Sequence, residues 1–89
     1  MTRERSQPRV RDGLLCEELG AELLVFDERN AAVHALNTTA VLVFRSIDGQ
    51  RDIESISRRV AHALEVDIET AARDVRETLD QLDARDLLG

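Results

Sequence analysis

Tryptophan, tyrosine and lysine are absent from this 89-residue chain, and cysteine, proline and methionine occur once each. With only two phenylalanines there is little aromatic surface on which bases or sugar rings could stack, which argues against a nucleic-acid platform. A single cysteine, Cys16, cannot form an internal disulfide or build a structural zinc site alone. A reducing compartment suits it, and the cytoplasm is the expected location. No apolar run approaches the ~20 residues that cross a bilayer, and no apolar signal core follows the first arginines, so a soluble protein with no membrane partner is expected. The four glycines, at 13, 20, 49 and 89, stand singly, so there is no glycine-rich loop to cradle a phosphate.

Positive charge is also in short supply. Twelve arginines face 18 carboxylates, for a formal net charge of -6, and such a field repels a phosphate backbone. Residues 1–12 run the other way, with Arg3, Arg5, Arg9 and Arg11 against Glu4 and Asp12, and read as a solvated basic tail. Residues 1–7 form its loose part, and ordered chain is expected from Pro8 to residue 89. Candidate catalytic groups are few and dispersed: Cys16, His34, His62, scattered hydroxyls and surface carboxylates. No spacing among them makes a recognisable constellation or a metal site, so neither catalysis, a cofactor nor a metal is expected. Cys16, flanked by Glu17 and Glu18, reads as a small hydrophobe packed in a strand.

What the chain does hold is organised around Leu36 to Gly49. Asn37, Thr38 and Thr39 each offer a side-chain oxygen to the free N–H groups of a first helical turn. Ala40, Val41, Leu42, Val43, Phe44 and Ile47 then leave only Arg45 and Ser46 polar, so this helix is expected to be buried on most sides. Asp48-Gly49 is its expected stop, giving about three turns.

Three short strands precede it: Leu14 to Leu19, Glu22 to Asp27 and Ala31 to Leu36, near the usual strand length of about six. Gly20-Ala21 supplies a tight turn, and Asp27-Glu28-Arg29-Asn30 a longer one. ELLVFD is the most apolar strand and should be central, which leaves the third at an edge. Two helices follow. Ile53, Ile56, Val60 and Leu64 make a one-faced helix capped by Asp52, and Ile68, Ala72, Val75, Leu79 and Leu82 form the stripe of a longer one capped by Asp67 and ending near Leu87-Leu88. The order of elements indicates an α+β domain with helices on one side of a small sheet. The last two helices also suit a helix-turn-helix pair, so a winged-helix DNA-binding protein stays open, as does a structural dimerisation domain using an open strand.

One further pattern carries a resemblance. Leu36-Asn37, Thr39-Ala40, Phe44, Asp48-Gly49, Ile53, Ile56, Asp74-Val75, Leu79, Leu82 and Leu87-Leu88 together resemble the PqqD family, small peptide chaperones also called RiPP recognition elements. The resemblance spans about Pro8 to Leu88. Phe44 stands where the family often has Trp, and Asp86 where glycine usually precedes the final leucines. It implies a winged-helix-like fold, a three-stranded antiparallel sheet followed by three helices. It implies a non-catalytic module, a monomer or weak dimer, that holds the leader segment of a ribosomally made precursor peptide for a modifying enzyme. In the namesake case, pyrroloquinoline quinone biosynthesis, that enzyme is a radical SAM enzyme. The family's leader lies between the third strand and the last helix. Carried over, the main-chain partners are Ala31, Ala32, Val33, His34, Ala35 and Leu36, and the wall is Ala72, Arg73, Val75, Arg76 and Leu79. For Val75 and Leu79 plain core packing is an equal alternative, and Arg73 and Arg76 are as well suited to intrahelical ion pairs.

Overall fold

The computed structural model describes residues 7–89; the first six, with Arg3 and Arg5 of the basic tail, lie outside the described residues. Three strands, β1 (Leu14–Leu19), β2 (Glu22–Asp27) and β3 (Ala32–Leu36), precede three helices, α1 (Thr38–Ser46), α2 (Ile53–Leu64) and α3 (Ile68–Ala84). The sheet is antiparallel in the order β1-β2-β3, with ELLVFD central as its composition requires.

Turn chemistry sets the register. Leu19 pairs with Glu22 across Gly20-Ala21, and Gly20 sits at φ +63, the conformation that a two-residue hairpin needs at its first central position. Between β2 and β3 the Asp27 side chain bends the chain back: its Oδ1 accepts from Asn30 N (3.3 Å) and its Oδ2 from Asn30 Nδ2 (2.7 Å). Ala31 closes the turn, donating its N–H to Glu28 O (3.1 Å) at φ +53. Ala31 therefore belongs to the turn, and β3 begins one residue later than its composition suggested. An alanine there is left-handed at a steric cost.

Paired residues share a face. Leu23, Val25 and Asp27 with Ala32, His34 and Leu36 point toward the helices, and Leu24, Phe26, Val33 and Ala35 point away. No Cα of a helix lies within 8 Å of a Cα of β1, although Arg45 of α1 reaches Glu18, and Leu15 (67%) and Leu19 (59%) are exposed on the face away from the helices. Cys16 is consequently exposed, not packed as a small hydrophobe as expected. The sheet extends past its helical layer.

Each helix starts on the cap read from its sequence. Asn37 Oδ1 accepts from Ala40 N (3.0 Å), Asp52 Oδ1 from Ser55 N (2.8 Å) and Asp67 Oδ1 from Thr70 N (2.7 Å). Helix α1 ends earlier than its glycine implied, because Ile47 turns extended to bury its side chain, and Asp48-Gly49 instead forms a side-chain-closed turn to Gln50 and Arg51. Ser46, expected on a polar face, is buried and donates to Leu42 O (2.7 Å). Helix α3 also stops short of Leu87-Leu88. Leu87 N reaches Leu82 O (2.9 Å) and Asp86 N reaches Asp83 O (3.0 Å), with Asp86 at φ +62, a helix-closing motif that usually places glycine at that position. That is the physical reason for the glycine of the family pattern.

The core joins Leu23, Val25 and Leu36 of the sheet to Val43, Phe44 and Ile47, Ile56 and Val60, Val75, Leu79 and Leu82, and Leu87. The two ends of the chain close over it. Val10 bridges Leu88, Arg11 N donates to Leu87 O (2.9 Å) and Gly89 N to Arg9 O (2.7 Å). Arg11 then reaches the buried Asp27 carboxylate at 2.5 Å. The basic segment is thus not solvated throughout, since an otherwise unpaired buried carboxylate draws Arg11 inward.

Arg11, then Asn30, hold the Asp27 carboxyl down at about 2, against the opposing effect of its burial. Its folded-state value lies below the unfolded one of ~3.9, so the stabilisation is present in full above about pH 4 and is lost as pH falls toward 2. The melting temperature should drop across that window, and Arg11→Met should lower it at neutral pH while returning the Asp27 carboxyl titration, followed by NMR, toward the ordinary range. Ala31→Gly should instead stabilise the fold by about 0.5–1 kcal/mol, because glycine adopts the left-handed turn conformation without strain. Chemical denaturation of the pair measures it.

Candidate functional site

Strand β3 has β2 on one side only. No described strand covers its other edge, so alternate residues turn N–H and C=O groups outward. Helix α3 runs alongside that edge in the opposite direction. One end is marked by Asn37, just past β3, beside Asp74 and Gln81, and the other by Asn30, just before β3, whose Nδ2 donates to Asp86 Oδ2 at 3.0 Å. Between these ends no Cα of β3 lies within 8 Å of a Cα of α3. The open border of β3 and helix α3 are thus tied together at both ends, without close backbone approach between them.

At the Asn37 end, just past β3, a polar cleft of about 220 Å³ lies between the start of α1 and α3, lined by Asn37, Thr39, Ala40, Asp74, Glu77, Thr78 and Gln81. At the opposite end a shallow depression of about 200 Å³ lies over the hairpin against Phe26, Ala31, Ala32 and Val33. His34, on the helix-facing side of β3, keeps a buried Nε2 with no hydrogen-bond partner among the described residues.

The expected site residues divide. Ala32, Val33, His34, Ala35 and Leu36 form the open strand, and Ala31 sits in its turn. Val75 is fully buried and Leu79 nearly so, which assigns both to the core. Arg76 and Leu79 border a different cleft, of about 270 Å³, on the flank of α3 toward α2, with Pro8, Ile53 and Leu88. Ala72, one turn before Arg76, shares that flank by helical periodicity, and Arg73 is exposed. Neither arginine makes an ion pair within 4 Å among the described residues. The flank of α3 that faces the end of β3 and the start of α1 is instead Asp74, Glu77, Thr78 and Gln81. Their i, i+3, i+4, i+7 spacing is visible in the sequence, but nothing local tells which side of the core stripe meets the sheet.

Chemically, the groove offers backbone donors and acceptors, amides, hydroxyls and two carboxylates. Partial desolvation raises the Cys16 thiol pKa, with Arg45 opposing, so no reactive thiolate is prepared. No grouping of three or more potential metal ligands occurs among the described residues, and no described helix is long and apolar enough to cross a membrane. Exposed Arg73 and Arg76 on α3 are interleaved with Glu69, Asp74, Glu77, Asp80 and Asp83, unlike a helix that enters a DNA groove.

An antiparallel sheet with one open edge, backed by three helices, defines a small α+β module. Residues 22–88 match the family Coenzyme PQQ synthesis protein D (PqqD), and the chain belongs to it. Among solved structures, TbiB1 in complex with the TbiA(beta) leader peptide has the same fold. The TM-score is 0.79 at 19% identity, over 90% of this chain and 93% of that one. No curated protein matches.

The division of α3 into core and flank is directly testable. Val75→Ala should cost about 2 kcal/mol of stability, the loss of two buried methyl groups plus the cavity left behind. Arg76→Glu, on an exposed position, should change stability by less than about 0.5 kcal/mol. Urea denaturation of both variants separates them.

Proposed function

We propose that this protein is a non-catalytic peptide-binding module that holds the leader segment of a ribosomally made precursor peptide and presents it to a modifying enzyme. If this chain follows the namesake pathway of its family, that enzyme is of the radical SAM type. The observation that carries the reading is the uncovered border of β3. Family membership and the likeness to a leader-bound protein support it.

The physics is strand addition. A free leader is an extended, solvated chain, and pairing with β3 exchanges its water hydrogen bonds for a ladder while its alternate side chains enter the groove or lie on the outer face. The backbone ladder supplies affinity that is largely indifferent to sequence. Contacts with Asn37, Asp74, Glu77, Thr78 and Gln81 on one side, and with Val33 and Ala35 on the other, would supply selectivity. Core residues Val75 and Leu79 would act by holding α3 at its distance.

The test is a titration of labelled leaders from precursor genes beside this one, repeated with single N-methyl groups along the peptide backbone. An N-methyl removes one N–H donor without touching the protein. Loss of binding by about tenfold or more at every second position, and little change between, is the expected result. Uniform tolerance of N-methylation would reject strand addition. Duplex DNA added to the same assay should bind no more tightly than expected for non-specific contact, even at low salt, where a DNA-binding winged helix would bind strongly.

A further inference from the structure

We infer that the segment bound along β3 carries an arginine or lysine at the Asn37 end and an apolar side chain at the Ala31 end, about five residues apart. This rests on the strand-addition reading above and specifies its ligand.

The two ends of β3 differ in chemistry. At the Asn37 end, Asp74 and Glu77 stand on adjacent turns of α3 over a cleft whose remaining lining is Asn37, Thr39, Ala40, Thr78 and Gln81. Five carboxylates elsewhere have an arginine within 4 Å: Asp27 with Arg11, Glu18 with Arg45, Asp48 with Arg51, Glu54 with Arg58 and Asp86 with Arg29. Asp74 and Glu77 have no cation within 4 Å among the described residues. A guanidinium or ammonium entering from the peptide brings the charge that this cleft lacks and finds amide and hydroxyl oxygens beside it. An acidic side chain would be repelled by both carboxylates.

At the other end the lining is Phe26, Ala31, Ala32 and Val33 together with Asp27 and Glu28, and Val33 is 59% exposed on the outer face. An apolar side chain lying there removes water from Val33 and Phe26. The five residues of β3 span ~17 Å at a strand's ~3.3 Å rise. The basic side chain points toward the helices and the apolar one away, and strand side chains alternate faces, so their separation is odd. Between them the unpaired Nε2 of His34 is a further polar group on the helix-facing side.

A displayed library of random 12-residue peptides panned on the intact protein tests this, with affinities of selected peptides then read by fluorescence anisotropy. The expected result is enrichment of one basic and one apolar position about five apart. Asp74→Asn combined with Glu77→Gln should weaken such a peptide about tenfold, as should Arg→Gln in the peptide, with little further loss when the two changes are combined. Asp80→Asn combined with Asp83→Asn, an equal charge change on the opposite flank of α3, should leave affinity within about twofold. Selected peptides that lose binding on alternate N-methylation yet show no basic preference would overturn this inference and leave strand addition standing. Failure to select any peptide sensitive to N-methylation would overturn both.

Discussion

The carboxylate of Asp27 connects three parts of the chain that are distant in sequence. It lies at the end of β2, 1% exposed, where a lone charge would be costly. Asn30 satisfies it from the turn and Arg11 from the N-terminal segment. The first contact sets the turn that launches β3, and the second holds the segment that bridges Leu88 at the other end of the chain. Asp86, which closes α3, receives Asn30 and Arg29 from the same turn. The start of β3 and the end of α3 are therefore referenced to one another through hydrogen bonds and charge.

That arrangement makes a groove mechanically plausible in so thin a domain. A small sheet with one helical layer buries little apolar surface, so contacts at its ends matter to how α3 is held. Helix α1 props the Asn37 end, since it packs on β2, β3 and α3 together. The Asp27 and Asp86 contacts anchor the far end. What remains between is a strand whose outward N–H and C=O groups meet solvent, the state that natural sheets usually blunt with charge, proline or a covering element. On β1 that blunting is present, as Glu17 and Glu18 occupy the other edge. On β3 the sequence AVHAL carries no fixed charge, so the two borders of one sheet are treated differently.

Electrostatics adds a second asymmetry. Whole-molecule acidity discourages polyanions, while arginines placed beside Glu18, Asp48, Glu54 and Asp86 leave the remaining negative charge on other parts of the surface. The flank of α3 that faces the end of β3 and the start of α1 is one such place, and the flank beside α2, where Arg76 lies, is mixed in sign. A helix whose two sides carry different chemistry needs only a fixed rotation about its axis to choose which one a ligand meets.

Local physics in the sequence was sufficient for the elements. β1, β2 and α2 fall on the residues that their periodicity and turn signals mark, and Asn37, Asp52 and Asp67 cap as their oxygen-bearing side chains dictate, because such signals act within a few residues. The family pattern likewise foretold the fold. Tertiary structure alone decided the rest. Ile47 abandoned α1 to reach the core, Cys16 lost its cover because no helix backbone comes close to β1, and Arg11 left the solvent for a carboxylate sixteen positions away. It also decided which flank of α3 borders the groove. A 3.6-residue period shows which stripe is apolar, but both polar flanks beside that stripe fit the pattern equally, and only docking against α1 and the closed chain ends breaks the tie.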